Sequence, residues 1–221
     1  MTTGKRGHPS APAVRRDGRE SILCATREIV AEVGYQNATV EEIRRRAGVA
    51  RATFYAYFRS KQQAFIAAMD TVIDELYTVA GLRSPNPDEY GRIVEGNANY
   101  LRAWARHRRV LAEWYALALI DPEAREIYEA NRQRFEDRIH NRLCRLMERG
   151  RIPSTDPRLL TSALMGMIET FVRRHLGADA TEADCHEIFP RAVEVVSECW
   201  YRMVYAKPAP AYPYDELRYA G

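Results

Sequence analysis

Apolar side chains at Ile22, Leu23, Ile29, Val30 and Val33 recur at helical intervals, so a first helix is predicted from about Arg19 to a stop at Gly34. Thr39-Val40-Glu41-Glu42 has the form of a capping box and opens a short helix that ends at Ala47-Gly48. A third short helix follows over Ala50 to Phe58, and Ser60-Lys61-Gln62-Gln63 opens a long fourth toward Gly81. Pro85-Asn86-Pro87 breaks the chain before a helix over about Asp88 to Ala105. The basic stretch Arg106-His107-Arg108-Arg109 reads as a joint to a separate apolar helix ending at Ile120. Asp121-Pro122 and Asp156-Pro157 each set a capping carboxylate before a helix-starting proline, opening helices toward Gly150 and Gly177. A last helix runs from about Glu182 to Tyr205. Nothing alternates with period two, so the expectation is an all-α fold of about nine helices.

Residues 1–18 and 207–221 are rich in Gly, Pro and polar residues without apolar periodicity and are read as a flexible basic arm and a Pro-rich tail. Between them, 19–65 forms a small three-helix unit and 66–206 a larger helical one. The 221 residues are enough for a buried core. The net charge of +3 is unevenly spread: residues 1–61 hold 12 Lys and Arg against 6 Asp and Glu, leaving 21 against 24 for the rest. A basic N-terminal quarter favours a polyanionic partner. Lys5, Arg6, Arg15 and Arg16 of the arm would reach a minor groove or phosphates, or else simply solubilise the chain. No stretch has the roughly 20 apolar residues of a membrane helix, and the start lacks the apolar run of a signal peptide, so no membrane partner is expected and the chain is placed in the cytoplasm. Cys24, Cys144, Cys185 and Cys199 are widely spaced with no CxxC, which argues for reduced thiols and against a metal site.

The string TVEEIRRRAGVARATFYAYFRSK has the parts of a helix-turn-helix. Val40, Ile43 and Ala47 form an inner stripe, Gly48 allows a tight turn, and Val49, Phe54 and Phe58 face inward on the following helix. That leaves Arg51, Ala52, Thr53, Tyr55 and Tyr57 outward, as basic, small or hydroxyl-bearing side chains suited to base edges and phosphates. Taken singly, an Arg-rich run is a solvated face and two tyrosines are core cover; it is their joint order that points to double-stranded DNA.

AGVARATFYAYFRSKQQAF resembles the DNA-binding signature of the TetR family of bacterial regulators, over about residues 19–65. The resemblance implies that Thr39 caps the second helix against a phosphate, that Arg51, Ala52 and Thr53 approach bases, and that Tyr55, Tyr57 and Lys61 hold the backbone. Three positions depart from the family's habit: Ala50 where Ser is frequent, Arg44 where a small residue is frequent, and Tyr57 where many members have His. Arg44 lies four residues before Gly48, and its guanidinium is expected to snorkel toward the DNA side or solvent rather than be buried.

By the same likeness, residues 66–206 would surround a cavity for a hydrophobic small-molecule effector, lined from Tyr100, Trp104, Trp114, Tyr115, Leu119, Phe135, Met165, Ile168, Glu169 and Phe171. The alternative for each is ordinary core. The last two helices carry broad apolar faces: Leu160, Leu164, Met167, Phe171 and Val172, then Phe189, Val193, Val196, Trp200 and Met203. The family pairs such helices in a homodimer, which would let two headpieces read both halves of a palindromic operator; burial within one subunit is the alternative. The function implied is a ligand-responsive repressor with no cofactor. No catalytic motif is present, and a helical adaptor or a ligand-independent DNA-binding protein are the rival readings.

Overall fold

Glycines and capping side chains set the helix ends. The computed structural model describes residues 18–80 and 86–205, and among them every regular element is a helix. Helix α1 (Gly18–Val33) stops where Gly34 takes φ 81°, a left-handed conformation costly to any residue with a Cβ. Helix α2 (Val40–Ala47) begins on the capping box: Thr39 Oγ1 accepts from the Glu42 N–H at 3.2 Å, and Glu42 Oε2 accepts from the Thr39 N–H at 3.0 Å. Gly48, at φ 68°, turns the chain into α3 (Arg51–Tyr57). Ser60 accepts from the Gln63 N–H at the start of α4 (Lys61–Ala80).

Asp88 caps α5 (Glu89–Ile120), Asp121 caps α6 (Pro122–Glu148), and Asp156 caps α7 (Pro157–His175), each carboxylate accepting from backbone N–H of the first turn. The last helix is α8 (Glu182–Tyr205). Pro190 sits inside it and removes one backbone bond, while Phe189, Val193 and Val196 keep that part of the helix anchored in the core.

The expected joint at Arg106–Arg109 does not exist. Helix α5 runs unbroken over Glu89–Ile120, so eight helices replace nine among the described residues. The stretch holds no Gly or Pro, and Arg106, His107 and Arg108 are met laterally while Arg109 is exposed. Arg106 and His107 both reach Glu75 of α4, at 3.0 and 3.1 Å, and Arg108 donates to the Ala180 carbonyl at 2.8 Å.

Helix α5 is the hub, packing against α1, α4, α6, α7 and α8. Ile22, Leu23, Ile43, Phe54 and Phe65 fill the core of the first helices with essentially no exposure. Trp114 of α5, edge-on to Phe65 at 6.0 Å, makes that core continuous with the larger part of the molecule. Burying each such large side chain is worth about 1.5–3 kcal/mol. Helix α4 likewise crosses the expected boundary at 65/66 without a break. The arm, with Lys5, Arg6, Arg15 and Arg16, and the tail lie outside the described residues, except that Gly18 already belongs to α1.

Candidate nucleic-acid interface and interior cavity

With Ile43, Phe54 and Phe58 buried, the opposite face of the α2–turn–α3 unit is left outward. On it Thr39, Arg51, Ala52, Tyr55 and Tyr57 are exposed and Thr53 is half-buried. The Arg51 guanidinium lies 5.6 Å from the centre of the Tyr55 ring, so the phenol presents a platform under the cation. Ala50 stands at the N-cap of α3 without a side-chain bond to the first turn. The face therefore offers guanidinium, hydroxyl and phenol donors without a carboxylate among those six residues.

The Arg44-Arg45-Arg46 run is partly structural. Arg44 leaves the core and pairs with Glu41 one turn earlier. Arg46 bridges α2 to α1 through Glu32 at 2.8 Å and Glu28 at 3.2 Å, and its hydrogen bond holds the Glu32 carboxyl below the usual range. Lys61 points its ammonium at the carbonyls of Tyr35, 2.7 Å, and Gln36, 3.2 Å, and over the Tyr35 ring. Desolvation lowers its pKa. It thereby clamps the loop before α2.

Side-chain bonds that no sequence motif marks carry the headpiece onto the rest of the molecule. Glu113 of α5 accepts from the Tyr35 N–H at 2.8 Å, Gln62 of α4 donates to Asp121 at 3.0 Å, and Arg27 of α1 donates to Thr71 at 2.8 Å.

A cavity of about 260 Å³ opens between α5, α6, α7 and α8. Of the residues expected around a pocket, Tyr100, Phe135 and Ile168 line it. Trp104, Trp114 and Met165 are packed in the core, with the Trp104 Nε1 donating to the Leu176 carbonyl at 3.1 Å. Tyr115 joins an aromatic row between Trp104 and Tyr128, at 5.8 and 5.3 Å, and burial pushes its phenol up. Glu169 is buried against Arg132, which donates to it at 3.1 Å, so this carboxylate is paired. The Phe171 ring lies 4.7 Å from the His175 ring at a 42° tilt, and Leu119 is 76% exposed. The residues that join Tyr100, Phe135 and Ile168 include Asn97, Trp200 and the arginines Arg92, Arg138, Arg142 and Arg145.

The apolar faces of α7 and α8 divide. Leu164, Val172, Phe189, Val193 and Val196 are buried within the subunit, so their cover is internal. Leu160, Met167 and Trp200 are half-buried, Met203 is 39% exposed, and Leu159, next to Leu160 on α7, is 70% exposed.

Among the described residues, no three His, Cys, Asp or Glu groups are placed to hold a metal, and no helix is long and apolar enough to cross a membrane.

The family model described as bacterial regulatory proteins, tetR family, matches residues 22–68, which are α1 to the first turns of α4. The HTH-type transcriptional regulator BetI of Stenotrophomonas maltophilia is 30% identical over 156 residues, covering 68% of this chain and 77% of that protein. EthR of Mycobacterium tuberculosis is 25% identical over 145 residues, 61% of this chain and 67% of that one. Among solved structures, GusR of Salmonella enterica superposes with a TM-score of 0.68 at 17% identity, covering 85% of this chain and 95% of its own. A transcriptional regulator of Saccharomonospora viridis, in complex with choline, superposes at 0.65 and 19% identity, covering 80% and 94%.

Proposed function

Because this chain belongs to the TetR family of bacterial regulatory proteins, and so is a transcriptional regulator and not an enzyme, we propose that it is a cytoplasmic repressor whose hold on DNA a small molecule releases. The observation that carries the DNA-binding half is the outward set of Thr39, Arg51, Ala52, Thr53, Tyr55 and Tyr57 on a turn fixed by Gly48. A seven-residue α3 of this kind places its side chains at base edges while the start of α2 meets a phosphate. Arg44 flanks this set, and Lys61 acts from behind it by holding Tyr35 and Gln36.

One headpiece makes few contacts, so two copies acting on a palindromic operator are needed for affinity. The face left for the second copy runs along α7 and α8 through Leu159, Leu160, Met167, Trp200 and Met203. Effector control needs a two-state element: a ligand in the cavity between α5 and α8 lowers DNA affinity only as far as it prefers the conformation with misplaced headpieces. Helix α5 reaches from that cavity, at Tyr100, to Glu113 under the headpiece loop. The choline complex of the Saccharomonospora viridis protein is consistent with a small-molecule effector for this fold.

Footprinting of the full chain on the DNA flanking its own gene tests the proposal. A protected site with two-fold symmetry is the expected result, and protection independent of sequence would favour a helical adaptor with a merely basic surface.

A further inference from the structure

The cavity lining carries four arginines, Arg92, Arg138, Arg142 and Arg145, and, among the described residues, no aspartate or glutamate. Three of them sit at i, i+4 and i+7 on α6, alongside an apolar row of the same helix at Phe135, Ile139, Leu143 and Leu146. Two adjoining stripes thus face one void, one of guanidinium groups and one of hydrocarbon. Arg138 and Arg145 have, among the described residues, no carboxylate at ion-pairing distance; Arg138 makes a long bond, 3.5 Å, to the Tyr77 carbonyl. Arg142 has only a long contact, 3.4 Å, to Glu89. Glu89 lies outside the lining, where it is also bound by Arg92 at 2.8 Å and by the Tyr205 hydroxyl, which donates at 2.6 Å. Burial acts to raise the Glu89 pKa, but the Tyr205 hydroxyl and the two guanidinium groups together outweigh it and hold the carboxyl below its usual range.

We propose that this cavity takes a small amphipathic anion, a carboxylate on an apolar chain or ring. The body lies against Phe135, Leu143, Ile168 and Trp200, and the head group is met by Arg138, Arg142 and Arg145. Guanidinium groups bind carboxylates by paired N–H donors and repel a cation brought among them. The volume, about 260 Å³, is at the small end of ligand pockets, which suits a short chain or a single ring system. The choline bound by the Saccharomonospora viridis protein is the opposite charge, so the two pockets differ in the ligand they select. Glu89 competes for Arg142 as an internal counter-ion, and an entering carboxylate replaces it there.

This assignment rests on the ligand-responsive reading above, and a head-group series separates the two. The full chain is titrated with sodium octanoate, 1-octanol and octyltrimethylammonium, which share a tail, with Trp fluorescence and calorimetry as readouts, and the operator affinity is measured with each. Octanoate is expected to bind saturably and about tenfold or more tighter than octanol, since hydrogen bonds to a charged group are the strong ones. The Arg138→Gln, Arg145→Gln double variant removes that preference at unchanged thermal midpoint, both side chains being exposed. Glu89→Gln raises octanoate affinity, which a merely hydrophobic pocket would not show. Absence of saturable octanoate binding, or binding of octyltrimethylammonium as tight as octanoate, overturns the assignment. If octanoate binds with the expected preference and the operator affinity does not move, the anion site stands and the regulatory reading fails. If another head group binds better and releases DNA, the reverse holds.

Discussion

The Glu113 carboxylate accepts the Tyr35 N–H at 2.8 Å, so the loop leading into the helix-turn-helix hangs on a side chain of α5. Gly34, one residue earlier, holds φ 81°, and a Cβ there would stand 3.3 Å from Glu113 Oε1. Gly34→Ala therefore combines left-handed strain of about 1–2 kcal/mol with a contact that pushes the acceptor away. Glu113→Ala leaves the Tyr35 N–H without its partner, at a cost of about 1–3 kcal/mol. Urea unfolding is expected to show both losses, with Gly34→Ala also weakening DNA binding. Unchanged midpoints in both variants would mean that the loop is not held from α5.

Trp114 has no exposed surface and meets Phe65 edge-on, which makes it the hinge of the common core. Its indole N–H has no hydrogen-bond partner among the described residues. Trp114→Ala should cost about 3–5 kcal/mol through the cavity it leaves. Trp114→Phe keeps most of the ring volume and takes away the unsatisfied N–H together with part of the indole, leaving a smaller void, so it should be the milder change in thermal midpoint. Equal losses in the two variants would show that the N–H is worth more than its surroundings suggest.

His107 supplies a pH dependence with a definite sign. Burial holds its pKa below the ordinary value near 6.5, overcoming the pull of Glu75 at 3.1 Å; Arg106 and Arg27 add to the depression. The fold thus prefers the neutral ring. Its contribution to stability is complete above about pH 6.5, where the unfolded chain is also neutral, and is lost as pH falls through the lower folded value. His107→Gln should flatten the fall in unfolding free energy below about pH 6.5 relative to the parent chain. A parallel pair of profiles would remove His107 from the account.

Legibility in the sequence followed the range of the interactions. The α2 cap at Thr39, the turn at Gly48 and the inward Phe54 and Phe58 arise within a few residues of each other, and the pattern displays them directly. The continuity of α5 does not: the partners that keep Arg106, His107 and Arg108 helical are Glu75 and Ala180, about 30 and 72 residues away. The cavity was legible in kind and not in place. Aromatic residue types mark both a packed row, as at Trp104 and Tyr115, and a void wall, as at Tyr100 and Phe135, and only the packing separates them. Arg138, Arg142 and Arg145 have the spacing of any solvated helix face, so nothing local distinguishes them. Lys61 reads as a DNA-backbone contact from its position after α3, and the seat of its ammonium on the Tyr35 and Gln36 carbonyls has no local signature in the sequence.

On the proposed DNA face Arg51 and Tyr55 have separable roles, which substitutions can tell apart. The Arg51 guanidinium, a charged donor pair at the start of α3, is the group proposed for a base edge; the Tyr55 ring lies 5.6 Å from it, and its hydroxyl is the group proposed for the DNA backbone. Arg51→Ala should cost about 1–3 kcal/mol of discrimination between the operator and a scrambled duplex. Tyr55→Phe keeps the ring under the guanidinium and removes only the hydroxyl, so affinity should fall by about 1 kcal/mol on both duplexes with the ratio preserved. Tyr55→Ala removes hydroxyl and support together and should lose affinity and part of the ratio. Since a phenol displaces no counterion, neither tyrosine variant should change the slope of log affinity against log salt. Binding curves on the two duplexes across a salt series check all three variants at once. If Arg51→Ala weakens both duplexes equally, its guanidinium reads a phosphate and base recognition lies with Ala52 and Thr53 instead.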